Sequence, residues 1–157
     1  MREILFRGKR IDNGEWTYGY YVEAKHRWHK YGIHKEWIVC SAAANGGWFA
    51  LHEKHAVKDS TVGEYTGMTD KNGKKIFEGD ICLVKSPRGT YSYTMRVAWD
   101  SSFFNGWVGS MYATDEESTR YCEQAQFEQF TDYEAKCCEV IGNAYDNPEL
   151  LEESNES

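Results

Sequence analysis

The stretch Val62–Val84, VGEYTGMTDKNGKKIFEGDICLV, decides how the chain is read. Val62–Thr66 is a short run of β-forming residues that stops at Gly67. Asp70-Lys71-Asn72-Gly73 supplies turn chemistry, with Asn72-Gly73 free to take the positive φ angles of a tight hairpin. Ile76-Phe77 resumes the apolar run and Glu78-Gly79-Asp80 breaks it. Ile81–Val84 is a near-continuous buried-strand signal. The pattern predicts strand, turn, strand, turn, strand. It holds no catalytic constellation.

Upstream, Ile4 and Phe6 share a face, and Asp12-Asn13-Gly14 marks a hairpin into Trp16–Val22. There Trp16, Tyr18, Tyr20 and Val22 lie on one face, with Thr17, Gly19 and Tyr21 on the other. Gly19 leaves a gap that a ring from a neighbouring strand would cover. Glu23–Glu36 is polar without a helical stripe and reads as a long exposed connection. Trp37–Cys40 and Trp48–Leu51 read as strands about an Asn45-Gly46-Gly47 turn. His52–Ser60 reads as a link with room for one helical turn, and a subdomain boundary is expected within His52–Val62.

Downstream, Pro87-Arg88-Gly89 makes a turn before Tyr91–Trp99. Tyr91, Tyr93, Met95, Val97 and Trp99 alternate with Ser92, Thr94, Arg96 and Ala98, which predicts one buried and one solvated face. Asp100-Ser101-Ser102 turns the chain into a return strand, Phe103–Val108, interrupted at Asn105-Gly106. Thr114 and Glu117 fit a capping box, so a helix is expected near Glu116–Glu128, with a strand as the alternative. Cys137–Gly142 reads as a closing strand. Asn147-Pro148 opens a short terminal helix, Pro148–Glu152, before a frayed tail.

The 157 residues suit one domain or two small subdomains sharing a core. Aromatics reach 15%, which excludes a disordered chain because such rings must bury their area. The net charge is -7 and no Lys/Arg block stands out, so the basic footprint of a nucleic-acid binder is missing, apart from a local patch around Lys25–Lys35. A protein partner, or no macromolecular partner, is expected instead. No apolar run approaches the roughly 18 residues of a membrane helix, and MREILFRGKR lacks the apolar core of a signal peptide. The five cysteines, an odd number, are expected as reduced thiols in the cytoplasm.

The segments "FRGKR…GEWTYGYYV", "TVGEYTGMTDKNGKKIFEGDI", "VAWD" and "EVIGNAYDNPELL" together resemble the YopX family, encoded mainly by bacteriophages and prophages. The resemblance runs from Met1 to about Leu151 and is most specific over YTGMTDKNGKKIFEGD. It implies a mainly β protein; with the residue pattern above, the expectation is α+β at most, with an N-terminal β-hairpin subdomain over residues 1–60. An SH3-like small barrel with one or two short helices is implied over 61–152, ahead of a 153–157 tail. Self-association into a homo-oligomer is implied as well. It implies no activity. The binding residues it singles out are Tyr65, Gly67, Asp70, Asn72, Gly73, Phe77, Glu78, Gly79, Asp80 and Trp99. Lys25–Lys35 and Met111–Lys136 match no fixed family pattern, so partner choice is expected to vary there.

Candidate chemistry is thin. His26-x-x-His29 with His34, and His52-x-x-His55, are the only clusters of metal-ligating types, and no Cys-x-x-Cys accompanies them, so surface histidines and no metal or cofactor are expected. Cys137 and Cys138 point to opposite faces of a strand, one thiol buried and one exposed. Asp70, Glu78 and Asp80 gather carboxylates as a hydrolytic or metal site would, yet strand-to-strand turns use the same residues. Trp16, Tyr18, Tyr20, Trp37, Trp48, Trp99, Phe103, Phe104 and Trp107 are more rings than one small core buries comfortably, though core packing is expected to claim most. Such a surplus suits a protein interface or, in a small barrel, stacking on single-stranded nucleic acid. The expectation is therefore a non-enzymatic binding protein whose partner is a protein or a second copy. A nucleic-acid-binding barrel is the alternative.

Overall fold

The computed structural model describes residues 3–25, 35–45, 48–85, 88, 92–114, 118–119, 122–123 and 127–151, with backbone alone for 23–25, 35–45 and 48–54. Its strands are β1 (Phe6–Lys9), β2 (Trp16–Lys25), β3 (Lys35–Asn45), β4 (Trp48–Val57), β5 (Gly63–Thr69), β6 (Lys75–Phe77), β7 (Asp80–Lys85), β8 (Ser92–Asp100), β9 (Gly106–Ala113), β10 (Phe127–Gln129) and β11 (Cys138–Asn143). The helix α1 (Asp132–Cys137) and two 3-10 turns, Asp59–Thr61 and Pro148–Leu151, are also formed. The chain forms two compact units, Met1–Tyr65 and Thr66–Ser157, and the division falls inside β5.

In the first unit the strands are antiparallel in the order β4-β3-β2-β1-β5. Arg10 N–H donates to the Glu15 carbonyl at 2.9 Å and Gly14 N–H to that of Arg10 at 3.0 Å, closing the expected Asp12-Asn13-Gly14 turn. Phe6 stands opposite Gly19, and its ring lies 5.3 Å from that of Tyr21, so the glycine gap is covered from the neighbouring strand. Two expectations need correction. The Glu23–Glu36 connection is shorter, because β2 runs to Lys25 and β3 starts at Lys35; residues 26–34 lie outside the described set. The His52–Ser60 link is strand as far as Val57, and the helical turn comes only at Asp59–Thr61. Here the β3–β4 ladder, running from Asn45↔Trp48 to Trp37↔Val57 across an irregularity at Ser41/Ala42, fixes strand length. Ladder pairing satisfies the backbone whatever the side chains, so polar residues continue the strand.

In the second unit β6 pairs with the end of β5, and β10-β9-β8-β7-β11 form an antiparallel sheet. The implied SH3-like barrel is not confirmed, since β10 and β11 end an open strand order. Tyr93, Met95 and Val97 of β8 point into a core shared with Cys82, Trp107, Phe130 and Cys138. The period-two expectation for β8 fails at two places. Thr94 is buried, its hydroxyl within 3.2 Å of the Leu150 carbonyl, and Trp99 is exposed at the strand's end. The return strand begins at Gly106, after bends through Ser101–Asn105, with Asn105 at a φ of +47°.

The helices also shift. Ser118–Thr119 and Cys122–Glu123 are helical, but Phe127–Gln129 is β10, so no helix reaches Glu128; the residues between them lie outside the described set. A capping box is seen at Thr131, whose side chain accepts from the backbone while Glu134 reaches back, and it starts α1; Glu117, the expected partner of Thr114, lies outside the described residues. Cys137 therefore ends a helix and Cys138 begins β11; Cys138 is buried and Cys137 half-buried.

Candidate functional site

The carboxylates of the central stretch serve the backbone. Asp70 is buried at the β5–β6 turn. One of its oxygens accepts from Asn72 N–H (2.8 Å) and Lys74 N–H (2.9 Å), and the other from Val140 N–H (3.0 Å). β11 ends the strand order of its sheet, and since Cys138 turns its carbonyl outward to Lys71, the period-two rule turns the Val140 N–H outward as well, toward Asp70. Lys71 N–H adds a bond to the Cys138 carbonyl at 3.1 Å, so the turn is laid along β11. Burial alone would raise the Asp70 pKa. The N–H donors of Val140, Lys74 and Asn72 and the Lys74 charge outweigh it and hold the carboxyl below its ordinary range. Of the expected Asn72-Gly73 pair, only Gly73 takes a positive φ, +81°. The bond from Gly73 N–H to the Asp70 carbonyl makes this a type I-like turn followed by a left-handed residue.

The next turn is built the same way. Asp80, 1% exposed, accepts from Phe77 N–H at 2.8 Å. Gly79 donates to the Val97 carbonyl and accepts from Ala144 N–H. At φ +83° with the Tyr145 ring against its α-carbon, Gly79 has no room for a side chain. Glu78 is half-buried and Phe77 buried. Gly67 sits in β5 at φ +86°, flanked by the Thr66 hydroxyl, which donates to the Ile76 carbonyl and accepts from Met68 N–H. Tyr65, buried, belongs to the first unit. Seven of the ten singled-out residues thus lie in or beside the two turns, Tyr65 and Gly67 lie in β5, and only Trp99 presents a large exposed ring.

That surface is an apolar cleft of about 540 Å3 lined by Trp99, Asp100, Ser102, Phe103, Phe104, Val108, Ser110 and Phe127. Phe103 is 86% exposed, Phe127 58% and Trp99 45%. Trp99 meets the buried Trp107 edge-on at 5.1 Å, and Phe103 meets Phe104 the same way. Asp100 holds the loop that carries the two phenylalanines. One carboxylate oxygen accepts from Phe103 N–H (2.8 Å) and Phe104 N–H (2.6 Å), the other from the Ser102 hydroxyl (2.7 Å). These donors, Phe104 N–H foremost, push its pKa down to about 2. A second, more polar cleft adjoins the first through Ser110 and Phe127 and is lined further by Tyr112, Thr119, Cys122 and Glu123.

The core claims fewer rings than expected. Of the described members of the aromatic surplus only Trp107 is buried; Trp16 is half-buried under Arg7, and Tyr18 and Tyr20 are exposed on the first unit's sheet. The sequence signal for the cleft was Phe103-Phe104 directly after Asp-Ser-Ser, since adjacent strand residues cannot both face one core. His26, His29 and His34 lie outside the described residues, as does the side chain of His52; His55 is half-buried. Among the described residues no three His, Cys, Asp or Glu side chains form a group that would hold a metal, and no helix is long and apolar enough to cross a membrane.

The family described as YopX protein matches residues 5–152, nearly the whole chain. The chain belongs to the YopX family. No curated protein matches it. Among solved structures, this YopX-family chain is similar to protein EF1440 from Enterococcus faecalis, at 19% identity and a TM-score of 0.51, over 97% of this chain and 100% of that one. At that identity the likeness shows the fold alone.

Proposed function

We propose that this YopX-family protein is a non-catalytic accessory protein, of phage or prophage origin as the family resemblance implies, that works by holding a protein partner at the aromatic cleft of its second unit. The observation that carries the reading is Phe103, held 86% exposed on a loop that Asp100 pins. Leaving a phenylalanine in water forgoes about 2 kcal/mol of burial, and a hydrogen-bonded loop that fixes it there fits a surface completed by something else. Exposed aromatic anchors beside a packed core are what protein interfaces use. The net charge of -7 weighs against a nucleic-acid partner. The reading covers a second copy of the chain as well as a different protein.

Light scattering on the purified protein at two salt concentrations, with and without single-stranded DNA, beside a Phe103→Ser/Phe127→Ser variant, tests it. DNA is expected to leave the mass unchanged at both salts, and any wild-type oligomer is expected to be lost in the variant. A mass that rises with DNA at low salt would put the nucleic-acid reading in its place. An oligomer that survives the double substitution would take self-association away from the cleft.

A further inference from the structure

We infer that the partner is a different protein and that it binds as an extended segment, adding a strand to the open edge of β10 and dropping an apolar side chain into the cleft. The inference rests on the cleft reading above and names its occupant. β10 ends the strand order of its sheet. Phe130 N–H donates to the Trp107 carbonyl, and the β10–β9 register places Glu128 opposite Gly109. By the period-two rule of an antiparallel ladder, Glu128 then turns its amide toward β9, whereas Phe127 and Gln129 turn theirs outward. Both outward residues have exposed side chains, and among the described residues no element pairs with that edge. An edge of this kind accepts a further strand through its main chain, while pockets beside it select alternate side chains. The pocket is in place: Phe127 shares its face with Ser110, and both line the cleft.

Charge selects among occupants. Of the described residues lining the two adjoining clefts, the only charged ones are Asp100 and Glu123, both acidic. Asp100 keeps its charge at any ordinary pH, since its pKa lies at about 2. An extended segment with an aromatic or large aliphatic side chain flanked by Lys or Arg complements this surface. A second copy, itself at -7, is disfavoured by self-repulsion.

The test is panning of a displayed random nonapeptide library on the full-length protein and, in parallel, on Phe103→Ser. Peptides enriched on wild type alone are then titrated by fluorescence anisotropy against Gln129→Pro and Gln129→Ala. Proline removes the outward N–H without touching a ladder bond, a place where edge strands tolerate it. The expected consensus is apolar residues alternating with polar ones and flanked by Lys or Arg. Affinity is expected to fall about tenfold in Gln129→Pro, the worth of one main-chain bond, and to hold in Gln129→Ala. Amide exchange provides a readout independent of any variant: bound peptide slows Phe127 and Gln129 and leaves Glu128 unchanged. Peptides lost with Phe103→Ser but indifferent to Gln129→Pro, with no protection at Phe127 and Gln129, would leave the cleft reading standing and overturn strand addition. Failure to enrich any peptide over Phe103→Ser would overturn both. Acidic consensus peptides, a consensus matching this chain's own sequence, or displacement by single-stranded DNA would overturn the assignment of the partner.

Discussion

Replacing Asp70 tests whether the most distinctive stretch of the sequence is a structural clamp. In Asp70→Ala three backbone N–H groups lose their acceptor. Asn72 and Lys74 are exposed, so water replaces the carboxylate there at small cost. Val140 is buried, and its N–H has no such recourse. An orphaned buried donor and the lost charge-assisted bonds together come to about 3 kcal/mol, or about 12–24 °C in the melting temperature of a unit this size. Asp70→Asn keeps one acceptor oxygen and should lose about 2 kcal/mol. Urea unfolding followed by tryptophan fluorescence measures both, with an unchanged slope as the sign that stability alone has moved. The pH dependence gives a second readout. The folded pKa of Asp70 lies below its ordinary 3.8, so its contribution is fully present above that value and drains away as pH falls through the lowered one. The gap between wild type and Asp70→Asn should therefore be constant near neutrality and shrink below about pH 4. A loss under about 1 kcal/mol in Asp70→Ala, or a gap that persists at low pH, would refute the clamp.

Other outcomes follow from the same geometry. Gly79→Ala combines a positive φ with a Cβ placed 2.9 Å from the Tyr145 ring and should lose about 2–4 kcal/mol by urea unfolding. Gly109→Ala would place its Cβ 1.6 Å from the sulfur of the fully buried Met95 and should cost about 1–3 kcal/mol, or more if the core does not yield. In a Cys40→Ser background a thiol reagent should label Cys137 first and reach Cys82, Cys122 and Cys138 only on unfolding. Those three are buried, and hydrogen bonding with Cys138 together with burial pushes the Cys82 thiol pKa up. The Asp100 loop should keep its Phe103 and Phe104 amide shifts from pH 7 to pH 4, because its carboxyl protonates only near pH 2; Asp100→Ala should speed exchange at both amides.

The turns of Val62–Val84 were legible because Asp, Asn and Gly act locally: each turn needs only its own few residues. Asp70's third partner was not legible, since Val140 lies seventy residues away and only the folded register brings its N–H to the carboxylate. Strand ends at Lys25, Lys35 and Val57 escaped because pairing to a neighbour, not apolar periodicity, carries polar residues into a ladder. Capping boxes were ambiguous in another way. Thr114-x-x-Glu117 and Thr131-x-x-Glu134 carry the same signature, and the second one starts α1. The aromatic surplus pointed to a binding surface, but which rings stay outside depends on the bends at Ser101–Asn105, a tertiary outcome.

The measurement that bears most directly on the central claim is the thermal stability and partner binding of Phe103→Ser, taken together. At 86% exposure the ring contributes little to the fold, so the variant should melt within about 2 °C of wild type while peptides selected on the wild-type cleft no longer bind it. A variant that binds those peptides as wild type does would show that the cleft is not where a partner is held, and one that loses several degrees of stability would show that Phe103 serves the fold.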